Sequence, residues 1–100
     1  MKLYRTVSWG IDTTGVEFEA PEFDGLTPVA VEVRDNAESL HEFVHPEKAL
    51  YVFGPEDGSI PKGRLARCHR FVRIPTNNRT PLNLGAAINV VLYDRLAKTL

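Results

Sequence analysis

The sequence predicts an α/β fold: a parallel sheet with crossover helices. Three observations carry this. "TPVAVEV" (residues 27–33) and "KALYVFG" (48–54) are short β-branched or continuously apolar runs. Segments at helical spacing follow each of them. A third such run, "RFVRIP" (70–75), then leads into one long helical pattern at the C-terminus. Strands that alternate with helices must return to the same end of the sheet, so they pair in parallel.

The elements follow in order. "LYRTVSW" alternates weakly and reads as an edge strand, while "GIDTTGVEFEAPEFDGL" is rich in Gly, Pro and acids and reads as loop. Residues 1–26 are therefore set apart as an irregular or edge segment, and 27–100 form the domain proper. "TPVAVEV" is a strand bounded by Pro28. "NAESLHEFVH" places Leu40, Phe43 and Val44 at helical spacing, with Asn36 as a cap and Pro46 as a stop, and predicts an amphipathic crossover helix. "KALYVFG" has no polar alternation and suits a strand covered on both faces. "PKGRLARC" reads as a short helix with Pro61 near its first position. "NLGAAINVVLYDRLAKTL" is a long helix capped by Asn83. Its first three turns are apolar nearly all round, which predicts burial. Gly85, Ala86 and Ala87 would let a neighbouring backbone approach.

Composition bounds the function. One hundred residues, 43% hydrophobic and 25% charged, make one small folded domain. No apolar run approaches the roughly 20 residues of a membrane span, and the N-terminus lacks a signal-peptide pattern. A single cysteine, Cys68, excludes an internal disulfide and fits a cytoplasmic location. Net charge is −1, but Lys62, Arg64, Arg67, Arg70, Arg73 and Arg79 fall in an 18-residue stretch without a carboxylate. Such a stretch either attracts phosphates or is a solvated surface.

"HEFVH" (41–45) spells the short signature of a zinc protease. That chemistry needs a helix continuing past the second histidine, a third ligand and a positioned base. Pro46 ends the helix at once, and only Cys68 and His69 remain as distant nitrogen or sulfur ligands. The pair reads as two histidines at the rim of the crossover helix, with no metal.

The informative stretches are "LYVFGPEDGSIP" (50–61) and "RIPTNNRTPLNLGAAINVVLYD" (73–94). The second and third strands end at Gly54 and at Ile74-Pro75, and ligands of open α/β sheets sit beyond such carboxyl ends. The helix start at Asn83 reaches the same crevice with free N–H groups. Tight-turn chemistry and an ordinary capped helix would explain each feature taken singly.

Together these stretches closely resemble the SPOUT superfamily of methyltransferases, in its SpoU/TrmH branch. Gly54, Glu56, Gly58, Ile60 and Pro61 match the family's Gly-x-Glu-x-x-Gly-(Ile/Leu)-Pro element, with the second glycine shifted. Ile74-Pro75 matches its Ile-Pro, and Pro81-Leu82-Asn83 its Ser-(Leu/Met)-Asn before an Ala/Val-rich helix. The likeness covers roughly residues 27–97. It implies a C-terminal trefoil knot and S-adenosylmethionine held by Val31, Gly54, Gly58, Ile74 and Leu82. It also implies Glu56 and Asn83 as catalytic-site residues, a homodimer, and 2′-O-methylation of ribose in tRNA or rRNA, with no role for DNA.

Two departures stand out. Residues 1–40 contain no Asn-x-Gly-x-(Ala/Ile)-x-Arg element, whose arginine activates the ribose in the family; Arg5 and Arg34 lack its surroundings. The triplet's serine is Pro81, which brings neither hydroxyl nor N–H. Three readings follow: a methyltransferase, a cofactor- or RNA-binding module without catalysis, or a structural dimer keeping only the fold.

Overall fold

A computed structural model describes residues 9–12, 25–32, 34, 36–54, 60, 62–76 and 82–100. Five parallel strands form one sheet in the order β1-β4-β2-β5-β3. The strands are β1 (Trp9–Asp12), β2 (Thr27–Val31), β3 (Glu38–Ser39), β4 (Ala49–Phe53) and β5 (Arg70–Arg73). Among the described residues two α-helices accompany them, α1 (Lys62–Leu65) and α2 (Leu84–Ala97). No strand lies beside its neighbour in sequence.

The central strand β4 is buried at every residue, as its unbroken apolar run requires. Its side chains alternate between two cores. Ala49, Tyr51 and Phe53 face one core with Val29, Phe43, Val72 and Val91 of α2. Leu50 and Val52 face the other with Ala30, Ile60 and Cys68, against which Leu65 of α1 and Phe71 pack. Among the described residues, α2 thus covers one side of the sheet and α1 the other, each with loop residues. The edge strand β1 pairs with β4 from Trp9↔Ala49 to Asp12↔Val52, so Gly10–Asp12 belong to the sheet rather than to loop.

The expected crossover helix over 36–45 does not form. β3 begins level with the end of β2, because Val31 and Glu38 both align with Val72. The connection therefore need not travel back along the sheet, and no helix is required to span it. After β3 the chain makes one 3-10 turn, Leu40–Glu42, and then runs extended to β4. Lys98 Nζ takes the carbonyls of Leu40 (2.7 Å) and Phe43 (2.8 Å), and Pro46 brings no N–H to continue a helical ladder. Leu40 and Phe43 are buried as expected, but Val44 is 76% exposed.

Helix α2 is also less enclosed than its composition predicts. Val91 is fully buried, and Leu84, Ala87, Ile88 and Leu92 pack against the first core. Val90, Tyr93 and Leu96 are exposed, and with Leu40 and Ala97 the first two line a shallow apolar groove. One covered stripe is what a helix on one face of a sheet buries; apolar residues elsewhere on it remain uncovered.

Candidate functional site

The register sets the geometry of the sheet's carboxyl edge. Val31 ends β2 and aligns with Phe53 on one side and Val72 on the other. Gly54 and Ile74 are the next residues of the two flanking strands, so three adjacent strands deliver Val31, Gly54 and Ile74 to one edge. All three are half-buried. Val31, Ile74 and Leu84, the first residue of α2, all pack against the first core. Leu82 and Asn83, both exposed, lead directly into that helix. Glu56 and Gly58 lie outside the described residues.

Asn83 caps α2 as its sequence predicts: its Oδ1 accepts from the Ala86 N–H at 2.8 Å. Its backbone is extended, and the helical ladder begins with Ala87 N–H on the Asn83 carbonyl. An exposed asparagine thus marks where the helix starts beside the strand ends.

Glu32, which no sequence motif singles out, ties the edge together. It directly follows β2, and its Oε1 accepts the Ile60 N–H at 3.0 Å. The bond draws the far end of the Gly54–Pro61 element back onto the end of β2. Gly54 has no Cβ, so main chain can approach a ligand closely there. Apolar side chains with backbone beyond the last rungs suit a flat, partly apolar ligand held by main-chain groups.

The far half of α2 is fixed by a buried polar network. His45 Nε2 lies 2.7 Å from Asp94 Oδ2, and its Nδ1 lies 2.8 Å from the Tyr51 hydroxyl. Arg95 donates to that hydroxyl (2.9 Å) and to the carbonyls of Pro46 and Glu47. The Asp94 carboxylate only accepts, so His45 Nε2 carries a proton toward it, and with burial holding the His45 pKa down, Nδ1 is bare and accepts the Tyr51 hydroxyl proton. The imidazole is therefore neutral, with its own proton on Nε2 toward Asp94. Burial drives the His45 pKa down, overcoming the pull of Asp94, with Lys98 and Arg95 adding to the drop. Burial opposes the Asp94 carboxylate, yet the Lys98 ammonium at 2.8 Å and the His45 N–H hold its pKa down.

This corrects the reading of "HEFVH" as a rim pair on a helix. His41 is exposed, but the His45 side chain is only 6% exposed and both its nitrogens are engaged. The two do not share a helical face, because no α-helix carries them. The basic stretch is likewise partly committed: Arg70 pairs with Glu38 at 2.7 Å and lies over the Phe43 ring.

A family model for the SpoU rRNA Methylase family matches residues 12–93. Among solved structures, the chain is similar to the SpoU methyltransferase AviRb from Streptomyces viridochromogenes in complex with the cofactor AdoMet. The TM-score is 0.65 at 19% identity, over 74% of this chain and 29% of that one. It is also similar to a TrmH-family protein from Porphyromonas gingivalis, with TM-score 0.61 at 21% identity over 71% and 30% of the two chains. A methylase family protein from Haemophilus influenzae Rd KW20 gives TM-score 0.59 at 24% identity, over 69% and 34%. The chain thus spans about a third or less of the length of these solved relatives. None of the curated proteins matches it. The family model covers most of the chain, and the parallel sheet reproduces the fold of these structures: the chain belongs to the SpoU rRNA methylase family.

Proposed function

We propose that the chain is an S-adenosylmethionine-dependent RNA methyltransferase acting on a ribose 2′-hydroxyl of tRNA or rRNA in the cytoplasm. The observation that carries this reading is the meeting of Val31, Gly54 and Ile74 at one carboxyl edge within a chain of the SpoU family. The half-buried apolar rim fits an adenosine moiety held by main-chain groups. Val31, Gly54, Gly58, Ile74 and Leu82 hold the cofactor in this reading, and the chain closes behind α2 as a trefoil knot. When bound, S-adenosylmethionine supplies an activated methyl group on a sulfonium.

The chain's own residues supply position and polarity. Glu32 fixes the Gly54–Pro61 element against β2, and the Asn83 cap sets the start of α2. Glu56 and Asn83 orient the reacting groups. A ribose hydroxyl is a poor nucleophile until its proton or its developing charge is stabilised, so placement in a dry, polar-lined site matters. Isothermal calorimetry with S-adenosylmethionine, followed by methyl transfer to bulk tRNA and rRNA, tests the proposal. Binding with transfer supports it, and absence of binding refutes it.

A second reading is favoured by one observation. No Asn-x-Gly-x-(Ala/Ile)-x-Arg element stands in residues 1–40. In that reading the chain binds S-adenosylmethionine or RNA as a module without transferring the methyl group. Binding without transfer selects it.

The uncovered residues of α2, Val90, Tyr93 and Leu96, support a homodimer in which a second copy covers them. Sedimentation of wild type against Tyr93→Glu checks this. A wild-type monomer at micromolar concentration contradicts it.

A further inference from the structure

We propose that Arg34 and Arg73 form a phosphodiester-binding corner for RNA at the carboxyl edge of the sheet, on the α1 side. The proposal rests on the methyltransferase reading for the identity of the partner, and on the following geometry for the site itself.

Arg34 lies three residues past the end of β2, and its guanidinium stands 4.8 Å over the centre of the Phe71 ring. Phe71 packs against the second core, so Arg34 is held on the face of the sheet that α1 covers. Val72 belongs to the first core, so strand alternation puts Arg73 on the same side as Phe71. Arg73 is the last residue of β5, and β5 lies directly beside β2. Two residues far apart in sequence are thereby brought to one corner of the sheet.

Among the described residues the acids nearby each have a partner. Glu32 accepts the Ile60 N–H, and Glu38 is taken by Arg70. Among the described residues neither Arg34 nor Arg73 has a carboxylate partner. Two like charges at one corner repel unless an anion joins them. Lys62, which is exposed, stands two residues past Ile60, the residue that Glu32 ties to the end of β2.

A stacked guanidinium is oriented rather than free to swing, which suits the planar, two-point grip that arginine makes on a phosphate. The corner adjoins Val31, Gly54 and Ile74, so a phosphate held there sets a strand of RNA across the proposed methyl-transfer site. Phosphate contacts of this kind position a nucleic acid without reading its sequence.

Fluorescence anisotropy with a labelled RNA hairpin, titrated across salt concentrations, tests the inference on the full chain. Arg34→Ala and Arg73→Ala should each weaken binding about fivefold to tenfold and lower the slope of log affinity on log salt by about 0.7. Arg34→Lys should keep most of the slope but not the full affinity. Lys48→Ala, at the opposite end of β4, should change neither. Calorimetry with S-adenosylmethionine should give the same affinity for Arg34→Ala as for wild type. Urea unfolding of each variant verifies that the fold persists.

Unchanged RNA affinity and slope in both arginine variants overturns the proposal. So does an equal loss in Lys48→Ala, which would reduce the effect to net charge. Loss of S-adenosylmethionine binding in Arg34→Ala overturns it in favour of a cofactor contact. A wild type that binds RNA through these arginines but never binds S-adenosylmethionine leaves the corner standing and removes the methyltransferase reading.

Discussion

Replacing Tyr51 by Phe deletes one oxygen from the centre of the polar network and tests its worth. Tyr51 is fully buried, and the ring of Phe fills the same space. The hydroxyl receives Arg95 and donates to His45 Nδ1. Arg95 keeps the carbonyls of Pro46 and Glu47, so its loss is small. His45 has no such reserve: with its side chain 6% exposed, Nδ1 becomes a buried acceptor without a donor. A hydrogen bond lost is about 1 kcal/mol, and an orphaned buried acceptor adds about 1–3 kcal/mol. The expected destabilisation is therefore about 2–4 kcal/mol, a large part of the roughly 5–15 kcal/mol of a typical domain. Urea unfolding followed by circular dichroism reads it as a midpoint lowered by on the order of 2 M at unchanged slope. A change below about 0.5 kcal/mol would refute the assignment of the Tyr51 proton to His45.

Stability should fall as pH drops below 6.5. The folded state holds the His45 pKa below that value, so the unfolded chain binds the extra proton first, and the contribution is present above 6.5 and lost on acidification. A urea midpoint that stays flat from pH 7 to 4 contradicts this; Asp94 adds a second loss below 3.8, with the same sign, contradicted by a midpoint that stays flat from pH 4 to 2. Asn83→Ala should cost about 1 kcal/mol through the lost cap on α2, measured by thermal melting. Gly85→Ala should instead stabilise by about 0.5–1 kcal/mol, since an added Cβ meets only Asn83 Oδ1 at 3.7 Å. Glu32→Ala should weaken S-adenosylmethionine binding by loosening the end of the Gly54–Pro61 element; unchanged calorimetric affinity would detach that element from the site.

Much of this fold is legible where a segment's own chemistry decides its shape. The β4 run has no polar residue to expose, so its burial follows from composition alone. Asn83 ahead of an apolar helix is a cap wherever it occurs. The segment 36–45 fails as a helix for a reason written elsewhere in the chain: β5 offers a free edge to Glu38 and Ser39. Lys98, dozens of residues on, claims carbonyls a helix would have used. His45 was unreadable in the same way, since nothing near it announces Asp94. Val31, Gly54 and Ile74 meet as the motif order suggests. Glu32 and Arg34 follow a strand in a polar run, and only the register shows what they approach.

The strand order has a consequence for how the chain reaches this shape. Among the described residues β3 hydrogen-bonds to β5, which is synthesised some thirty residues later. On the ribosome, Glu38 and Ser39 must therefore wait without this partner until Arg70–Arg73 emerge and slot between β2 and β3. With no adjacent pair to zip as a hairpin, every rung closes a long loop, and such topologies fold slowly. A nascent chain halted before β5 should remain sensitive to protease and become resistant only once that strand has cleared the exit tunnel.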